Sequence, residues 1–198
     1  MRVAIVGGTG DFGLALARRL VEAGDEVVIG SRDAARAQEK ANEVGAARGA
    51  GNDEAVIGAD LVVLASRADA ALPTATALAD AIGTTPVLSV ASDLRSTDAL
   101  SLAQRAQDLL GGSVVAGLHS LAAGKLAHGR PDEDVFVCGD DEEAKALALE
   151  LAAKVVAGRA LDAGPLAGAR ALEGMTAVIV NLNKRYKGHA GIRVTGLP

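Results

Sequence analysis

The segment from residue 3 to residue 13 constrains the fold more than any other part of the chain. An apolar run at residues 3–6 is followed at once by a glycine-rich turn that contains G-x-G-x-x-G at Gly8, Gly10 and Gly13, and a helical apolar pattern comes next. Such a turn lets the backbone approach a pyrophosphate, and the helix N-terminus offers it free N–H groups and a partial positive charge. The sequence therefore predicts a dinucleotide-binding unit at the start of the chain.

The end of the second predicted strand, residues 26–30, indicates which dinucleotide is bound. In NAD-binding folds an Asp or Glu lies there and bonds the ribose 2′-hydroxyl. This chain instead has Ser31 and Arg32, with Arg36 one helical turn further on. A hydroxyl and two guanidinium groups attract a 2′-phosphate that a carboxylate would repel, and arginine binds phosphate through two hydrogen bonds. We therefore expect NADP(H) rather than NAD(H).

Strand-like and helix-like segments alternate along the chain, which favours an α/β fold with a doubly wound, mostly parallel sheet of the Rossmann type. A chain of 198 residues has room for one domain with a small appendix. We place the division near Gly117, so that residues 1–117 form the dinucleotide-binding domain and residues 118–198 form a small C-terminal α/β segment. We expect the strand over residues 113–116 to close the main sheet.

Two helix starts are predicted between the strands of the first domain. The helix over residues 68–82 is expected to become regular only near Pro73, because proline lacks a backbone N–H. A second helix is expected over residues 97–110, with Ser96 or Thr97 as its N-cap.

Composition argues against several classes of protein. The chain is 49% apolar and carries a net charge of −5, so there is no basic excess that would indicate a nucleic-acid partner. Its apolar runs are too short to span a membrane, and the first residues lack the apolar region of a signal peptide. Cys138 is the only cysteine, and no cluster of His, Cys or acidic residues has metal-ligand spacing. We expect a cytoplasmic protein with no metal ion.

Motifs beyond the glycine turn make the chain resemble the NADPH-dependent F420 reductases, also named F420H2:NADP+ oxidoreductases. The resemblance runs from end to end and is most specific at Cys138-Gly139-Asp140-Asp141, at residues 161–166 and at residues 183–191. It implies direct hydride transfer between NADP(H) and the deazaflavin coenzyme F420, with the protein orienting the two rings and excluding water. It also implies a homo-oligomer, which we expect to be a homodimer, and a C-terminal segment that completes the F420 pocket.

The resemblance also assigns cofactor-binding roles to individual residues. It places the pyrophosphate at residues 9–12, the 2′-phosphate at the Ser31–Arg36 region, and the nicotinamide half near Ser66 and Ala123. Together, motif and resemblance predict as cofactor-binding residues Gly8, Thr9, Gly10, Asp11, Phe12, Gly13, Ser31, Arg32, Arg36, Ser66 and Ala123.

His119 is the candidate catalytic residue. It follows the strand predicted at residues 113–116, and ligands of open α/β sheets bind beyond the carboxyl ends of strands. From there it would donate a hydrogen bond to a deazaflavin carbonyl or act as a proton donor. The structural alternative is a histidine bonded to a nearby carbonyl group. Arg67 and Lys125 are candidates for steering the anionic tail of F420.

One segment departs from the family pattern. After the fourth predicted strand, family members usually carry an apolar-Pro-Trp segment, whereas this chain has Ser66-Arg67-Ala68. The bulky apolar wall is thus replaced by small residues and a positive charge. Two alternatives therefore stay open beside F420 reduction: an NADPH-dependent reductase of another small acceptor such as an imine, and a non-enzymatic regulator that binds NADP(H).

Overall fold

The computed structural model describes residues 1–95 and 97–197 and contains an eight-stranded sheet with helices on both faces. The strands are β1 (Arg2–Val6), β2 (Glu26–Ser31), β3 (Arg48–Gly51), β4 (Leu61–Leu64), β5 (Val87–Ser89), β6 (Val114–Gly117), β7 (Val135–Gly139) and β8 (Ala160–Asp162). The α-helices are α1 (Asp11–Glu22), α2 (Ala34–Val44), α3 (Asn52–Ala55), α4 (Ala68–Ile82), α5 (Leu102–Gln107), α6 (Ala123–His128), α7 (Glu142–Val155) and α8 (Ala169–Tyr186), and a 3₁₀ turn at Leu166–Gly168 precedes the last one.

The strand order is β3-β2-β1-β4-β5-β6-β7-β8. All neighbours pair in parallel except β6 and β7, which are antiparallel. The chain proceeds from β1 outward to β3 and then crosses back to β4 on the other side of β1. This reversal is the switch point at which open α/β sheets bind ligands, beyond the carboxyl ends of the strands. The predicted fold class is confirmed.

The sheet does not end where the sequence predicted. The strand at residues 113–116 was expected to close it, but β6 pairs with β7 through Ala116 and Cys138, and β8 extends the sheet further. The sheet is therefore continuous past Gly117. The division of the chain near that residue coincides with the change to antiparallel pairing and stays a proposal.

Two apolar layers cover the faces of the sheet. Alternate residues of β1 point into opposite layers, as expected for a strand buried on both faces. Ile5 packs in a cluster with Leu16 of α1 and Leu151 of α7, whereas Val6 belongs to a cluster with α4, α5 and α8. None of the helices within residues 1–95 and 97–197 is long and apolar enough to cross a membrane.

Helix α4 has the predicted bounds, residues 68–82, but its regular part does not wait for Pro73, and the predicted start of the next helix at residue 97 was wrong. Helix α4 begins at Ala68 and continues through Pro73. The proline removes only the bond to the carbonyl of Asp69, and the buried face of the helix keeps it packed against the sheet. Helix α5 begins at Leu102, because Ser101 and Gln104 form a reciprocal capping box there. Thr97 therefore lies before this helix, and Ser96 lies outside the described residues.

The segment after α8 folds back onto the start of β7. The backbone N–H of Val194 donates to the Asp134 carboxylate at 2.9 Å, and the Arg159 guanidinium donates to the same group at 2.7 Å. The Arg159 guanidinium and the backbone N–H groups of Val194 and Arg159 lower the pKa of Asp134 below its usual range. The C-terminal segment is thereby fixed against the second half of the sheet.

Candidate functional site

A groove of about 440 Å³ opens at the carboxyl ends of β1, β2 and β4. Its floor is the turn between β1 and α1, its first wall is the end of β2 with the start of α2, and its second wall is the loop before α4 with the face of that helix. Six of the predicted cofactor-binding residues line it, namely Thr9, Gly10, Ser31, Arg32, Arg36 and Ser66.

The glycines of the turn serve different purposes. A Cβ atom on Gly13 would lie 2.7 Å from the Cα of Gly8, so these two glycines allow α1 to pack closely against the end of β1. A Cβ on Gly10 would meet no atom within 4 Å, so this residue faces open space in the groove. Gly10 is also the N-cap of α1, and no side chain caps that helix N-terminus. An anion in the groove would satisfy its free N–H groups.

The end of β2 forms a cationic wall. The Ser31 hydroxyl accepts a hydrogen bond from the N–H of Asp33 at 3.2 Å, and the Asp33 carboxylate caps α2 by accepting from the N–H of Arg36 at 3.0 Å. The carboxylate that follows Arg32 in the sequence is thus turned toward the helix. Within residues 1–95 and 97–197, no ion pair holds the guanidinium groups of Arg32 and Arg36. A hydroxyl and two uncommitted cations therefore line one side of the groove.

Asn52 is a groove residue for which the sequence prediction assigned no binding role. It is the first residue of α3, and its Oδ1 accepts from the N–H of Gly7 at 3.4 Å. The same oxygen would lie 2.9 Å from a Cβ on Gly30. Asn52 thus links the glycine turn to the end of β2. A polar residue immediately after the third strand was the sequence signal that could have identified it.

The second wall carries small side chains and a charge. Ala70, Pro73 and Thr74 of α4 face the groove, and Ser66 and Arg67 lie at its edge. The Ser66 hydroxyl is buried and has no hydrogen-bond partner among the residues that the structure describes. No aromatic residue lines the described groove, so a bound ring would be flanked by small apolar side chains and guanidinium planes.

His119 lies outside this groove. It follows the carboxyl end of β6, and its hydrogen-bond partner Ala91 follows the carboxyl end of β5. The His119 side chain is buried, and Nε2 lies 3.3 Å from the carbonyl oxygen of Ala91. Burial lowers the pKa of His119 from 6.5 to about 4, so the ring is neutral at pH 7. A carbonyl oxygen only accepts, so the single N–H of the neutral ring lies on Nε2. Nδ1 is then an acceptor, and it has no partner in the described part of the chain.

The backbone before His119 is strained. Leu118 is buried and adopts a left-handed conformation with φ of +64°. That conformation costs a non-glycine residue about 1–2 kcal/mol. Such outliers are concentrated at functional sites.

Helix α8 lies next to His119. We call His119 and the α8 residues Arg170, Glu173 and Thr176 the histidine region. The Thr176 hydroxyl donates to the carbonyl oxygen of His119 at 2.7 Å and lies 2.8 Å from the Ser92 hydroxyl. Glu173 is buried, accepts from the N–H of Leu102 at 2.7 Å, and has its pKa raised by that burial. The Arg170 guanidinium donates to the carbonyl of Asp93 at 3.3 Å. The sequence prediction missed these residues, although they interrupt the apolar pattern of the segment from residue 166 to residue 180.

Buried polar atoms gather at this edge of the sheet. The hydroxyl groups of Ser66, Ser89 and Ser120 and the Nδ1 of His119 all lack a partner among the described residues. Buried polar groups are usually satisfied in folded proteins. This edge is therefore suited to a ligand that has its own donors and acceptors.

The structure does not bring every predicted residue into the groove. Asp11 and Ala123 line a separate recess of about 320 Å³ between α1 and α6, and Phe12 packs against the apolar layer. Lys125 is paired with the buried carboxylate of Glu133 at 2.6 Å. In residues 1–95 and 97–197, no group of three or more His, Cys, Asp or Glu residues is arranged to hold a metal ion.

Comparison with known proteins gives one consistent family. Residues 2–93 match the coenzyme F420-dependent NADP oxidoreductases. The F420-dependent NADP reductase of Methanothermobacter thermautotrophicus is 37% identical over an alignment of 223 positions, which covers 100% of this chain and 96% of the relative. The enzyme of the same name from Methanothermobacter marburgensis is 38% identical, with 100% of both chains covered.

Solved structures share the fold. A protein of Arthrobacter sp. FB24, whose crystal structure was attributed to an F420-dependent NADP reductase, superposes with a TM-score of 0.87 at 24% identity and covers 99% of this chain and 100% of its own. An imine reductase of Streptomyces aurantiacus superposes with a TM-score of 0.69 at 23% identity and covers 92% of this chain and 61% of its own.

Proposed function

This chain belongs to the F420-dependent NADP reductases, and we propose that the groove at the glycine turn binds NADP(H) while F420 binds beside it, at the carboxyl ends of β5 and β6. The chain is an oxidoreductase that transfers a hydride between NADP(H) and F420. The two alternatives that the sequence left open, reduction of another small acceptor and a regulator without activity, are not favoured by its relatives.

One observation carries the assignment of the groove to NADP(H). The glycine turn and the cationic group of Ser31, Arg32 and Arg36 line the same cavity. The turn suits the pyrophosphate, because Gly10 leaves space and the N-terminus of α1 has no side-chain cap. The cationic group suits the 2′-phosphate, because arginine pairs with phosphate through two charge-assisted hydrogen bonds.

When bound, the two coenzymes supply the carbon atoms between which the hydride moves, so the chain's task is to orient their rings and exclude water. His119 fits an acceptor role. With a pKa of about 4 it carries no additional proton to donate at pH 7, and its free Nδ1 would accept a hydrogen bond from a ring N–H group. The Thr176 hydroxyl holds the backbone of His119 through its hydrogen bond to the carbonyl oxygen, and the left-handed conformation of Leu118 sets the direction in which the chain enters His119.

The test is a steady-state absorbance assay. Purified protein, F420 and NADPH are expected to bleach the visible band of F420, and NADH is expected to be a far weaker donor. Binding of NADPH without F420 turnover would favour another acceptor, and binding without turnover of any acceptor would favour the regulator. Equal use of NADH and NADPH would contradict the assignment of the cationic group.

We further propose that the protein is a homodimer formed through α8. Val178, Leu182 and Tyr186 lie four residues apart on that helix and are 57%, 41% and 72% exposed, so they form one apolar stripe on its outer face. The same patch on a second copy would cover it in a two-fold interface. A cytoplasmic location stays a prediction.

Light scattering after gel filtration tests the dimer. Leu182→Glu is expected to convert a dimer into a monomer, whereas Leu109→Glu changes an equally exposed leucine outside α8 and is expected to leave the mass unchanged. A monomeric unmodified protein would contradict the proposal.

A further inference from the structure

Arg67 occupies a particular place in the groove. It comes from the loop between β4 and α4, whereas Arg32 and Arg36 come from the end of β2 and the start of α2. The residue before it touches the glycine turn, since a Cβ on Gly7 would lie 2.9 Å from the Cα of Ser66. Consecutive Cα atoms are about 3.8 Å apart. The backbone of Arg67 therefore starts one residue away from the turn.

The ion pair that Arg67 forms with Asp69 is weak. The Nε and Nη2 of Arg67 lie 3.3 and 3.2 Å from the two carboxylate oxygens of Asp69, and the side chains are 87% and 69% exposed. An ion pair this exposed contributes little, because water screens the charges and both side chains must be held in place. A phosphate can therefore replace Asp69 as the partner of the guanidinium at small cost.

Other cations of the second half of the sheet are not free in this way. Lys125 is paired with Glu133 at 2.6 Å and Arg159 with Asp134 at 2.7 Å, and these carboxylates are only 3% and 0% exposed. Removing either cation would leave a buried charge unpaired. Next to Arg67, by contrast, the buried hydroxyl of Ser66 lacks a partner among the described residues.

From this placement we infer that Arg67 binds the pyrophosphate of NADP(H), and the inference rests on the proposed function of the groove. Different cations bind different phosphate groups of the coenzyme. Arg32 and Arg36 lie at the end of β2 and the start of α2 and take the 2′-phosphate, which only NADP(H) has. Arg67 lies at the glycine turn and takes the pyrophosphate, which NAD(H) has as well. Arg67 therefore raises affinity for both coenzymes without setting the preference between them.

Titrations of NADPH and NADH into the full-length protein test this division. Arg67→Ala is expected to weaken both coenzymes by the same factor, about tenfold, which corresponds to one charge-assisted hydrogen bond in an open groove. Arg67→Lys is expected to restore part of the lost affinity, because lysine keeps the positive charge but lacks the planar guanidinium that binds phosphate through two hydrogen bonds. Asp69→Asn frees the guanidinium and is expected to tighten both coenzymes.

Two further variants serve as references. Arg32→Ala is expected to weaken NADPH alone. Arg105→Ala removes another exposed arginine, which pairs with Asp98 at 2.8 Å and lies outside the groove, and it is expected to change neither affinity.

The inference is overturned if Arg67→Ala leaves both dissociation constants unchanged. It is also overturned if the variant weakens NADPH alone, which would place Arg67 at the 2′-phosphate, or if it raises only the KM for F420, which would place it at the tail of that coenzyme. An unmodified protein that binds neither nucleotide would overturn the proposed function itself. Because Arg67 and Asp69 are exposed, the variants are expected to fold.

Discussion

Replacing Arg32 by alanine is the most direct test of coenzyme preference. The side chain is exposed at the edge of the groove, and no ion pair holds it in the described part of the structure. Surface substitutions of this kind change the free energy of unfolding by about 0.5 kcal/mol or less. The effect of Arg32→Ala is therefore expected in coenzyme binding and not in folding.

The size of the effect follows from the bond that is lost. A hydrogen bond to a charged group contributes about 1.5–3 kcal/mol. Because the groove is open to solvent, which screens the charges, the lower end of that range applies, and about 1.5 kcal/mol is roughly a tenfold change. The KM for NADPH is expected to rise about tenfold with kcat nearly unchanged, since the 2′-phosphate is bound equally before and during the reaction. The KM for NADH is expected to stay the same.

Initial rates of F420 reduction at varied NADPH and NADH measure these constants. Lys40→Ala is the matched control, because Lys40 is a cation of the same helix that carries Arg36 but lies outside the groove and pairs with Glu43 at 2.6 Å. A rise in KM for both coenzymes, or for neither, would refute the assignment of Arg32 to the 2′-phosphate.

Two further predictions concern the glycine turn and the buried histidine. Gly10→Ala is expected to weaken NADPH binding at a cost of less than about 1 kcal/mol in stability, whereas Gly13→Ala is expected to lower the free energy of unfolding by about 1–3 kcal/mol. Urea unfolding and NADPH titration of both variants distinguish the two effects. Stability is expected to fall as the pH drops from 6.5 toward about 4, because the unfolded chain protonates His119 and the folded chain does not. The free energy of unfolding is expected to fall by about 3 kcal/mol at most. This pH dependence should be absent in His119→Gln, and identical pH profiles of variant and parent would contradict the prediction.

The sequence was sufficient where the structure is local. The strand, glycine turn and helix of the nucleotide site are contiguous, and Ser31, Arg32 and Arg36 follow one strand, so spacing alone placed them together in the groove. The alternation of strands and helices likewise predicted the sheet, because each unit carries its own pattern. These features need no knowledge of distant contacts.

The histidine region could not be predicted in the same way. Thr176 reaches His119 across 57 positions of sequence, and Arg170 reaches Asp93 across 77. Such pairs depend on how α8 folds back over the sheet, and no local pattern encodes that. The regular first turns of α4 were not expected for a related reason, because packing of the buried face of this helix against the sheet outweighs the propensity of Pro73.

Helix α8 connects the two proposals about the second half of the chain. Its inner face carries Thr176, which fixes His119, and its outer face carries the stripe of Val178 and Leu182 two residues and six residues further on. A partner copy that covers the outer face would also hold the inner face against the histidine region. Loss of the dimer in Leu182→Glu is therefore expected to raise the KM for F420 several-fold while the dissociation constant for NADPH stays unchanged, because the glycine turn and the cationic wall lie on β1, β2 and their following helices. Equal losses for both coenzymes would mean that α8 supports the whole fold and not the acceptor end alone.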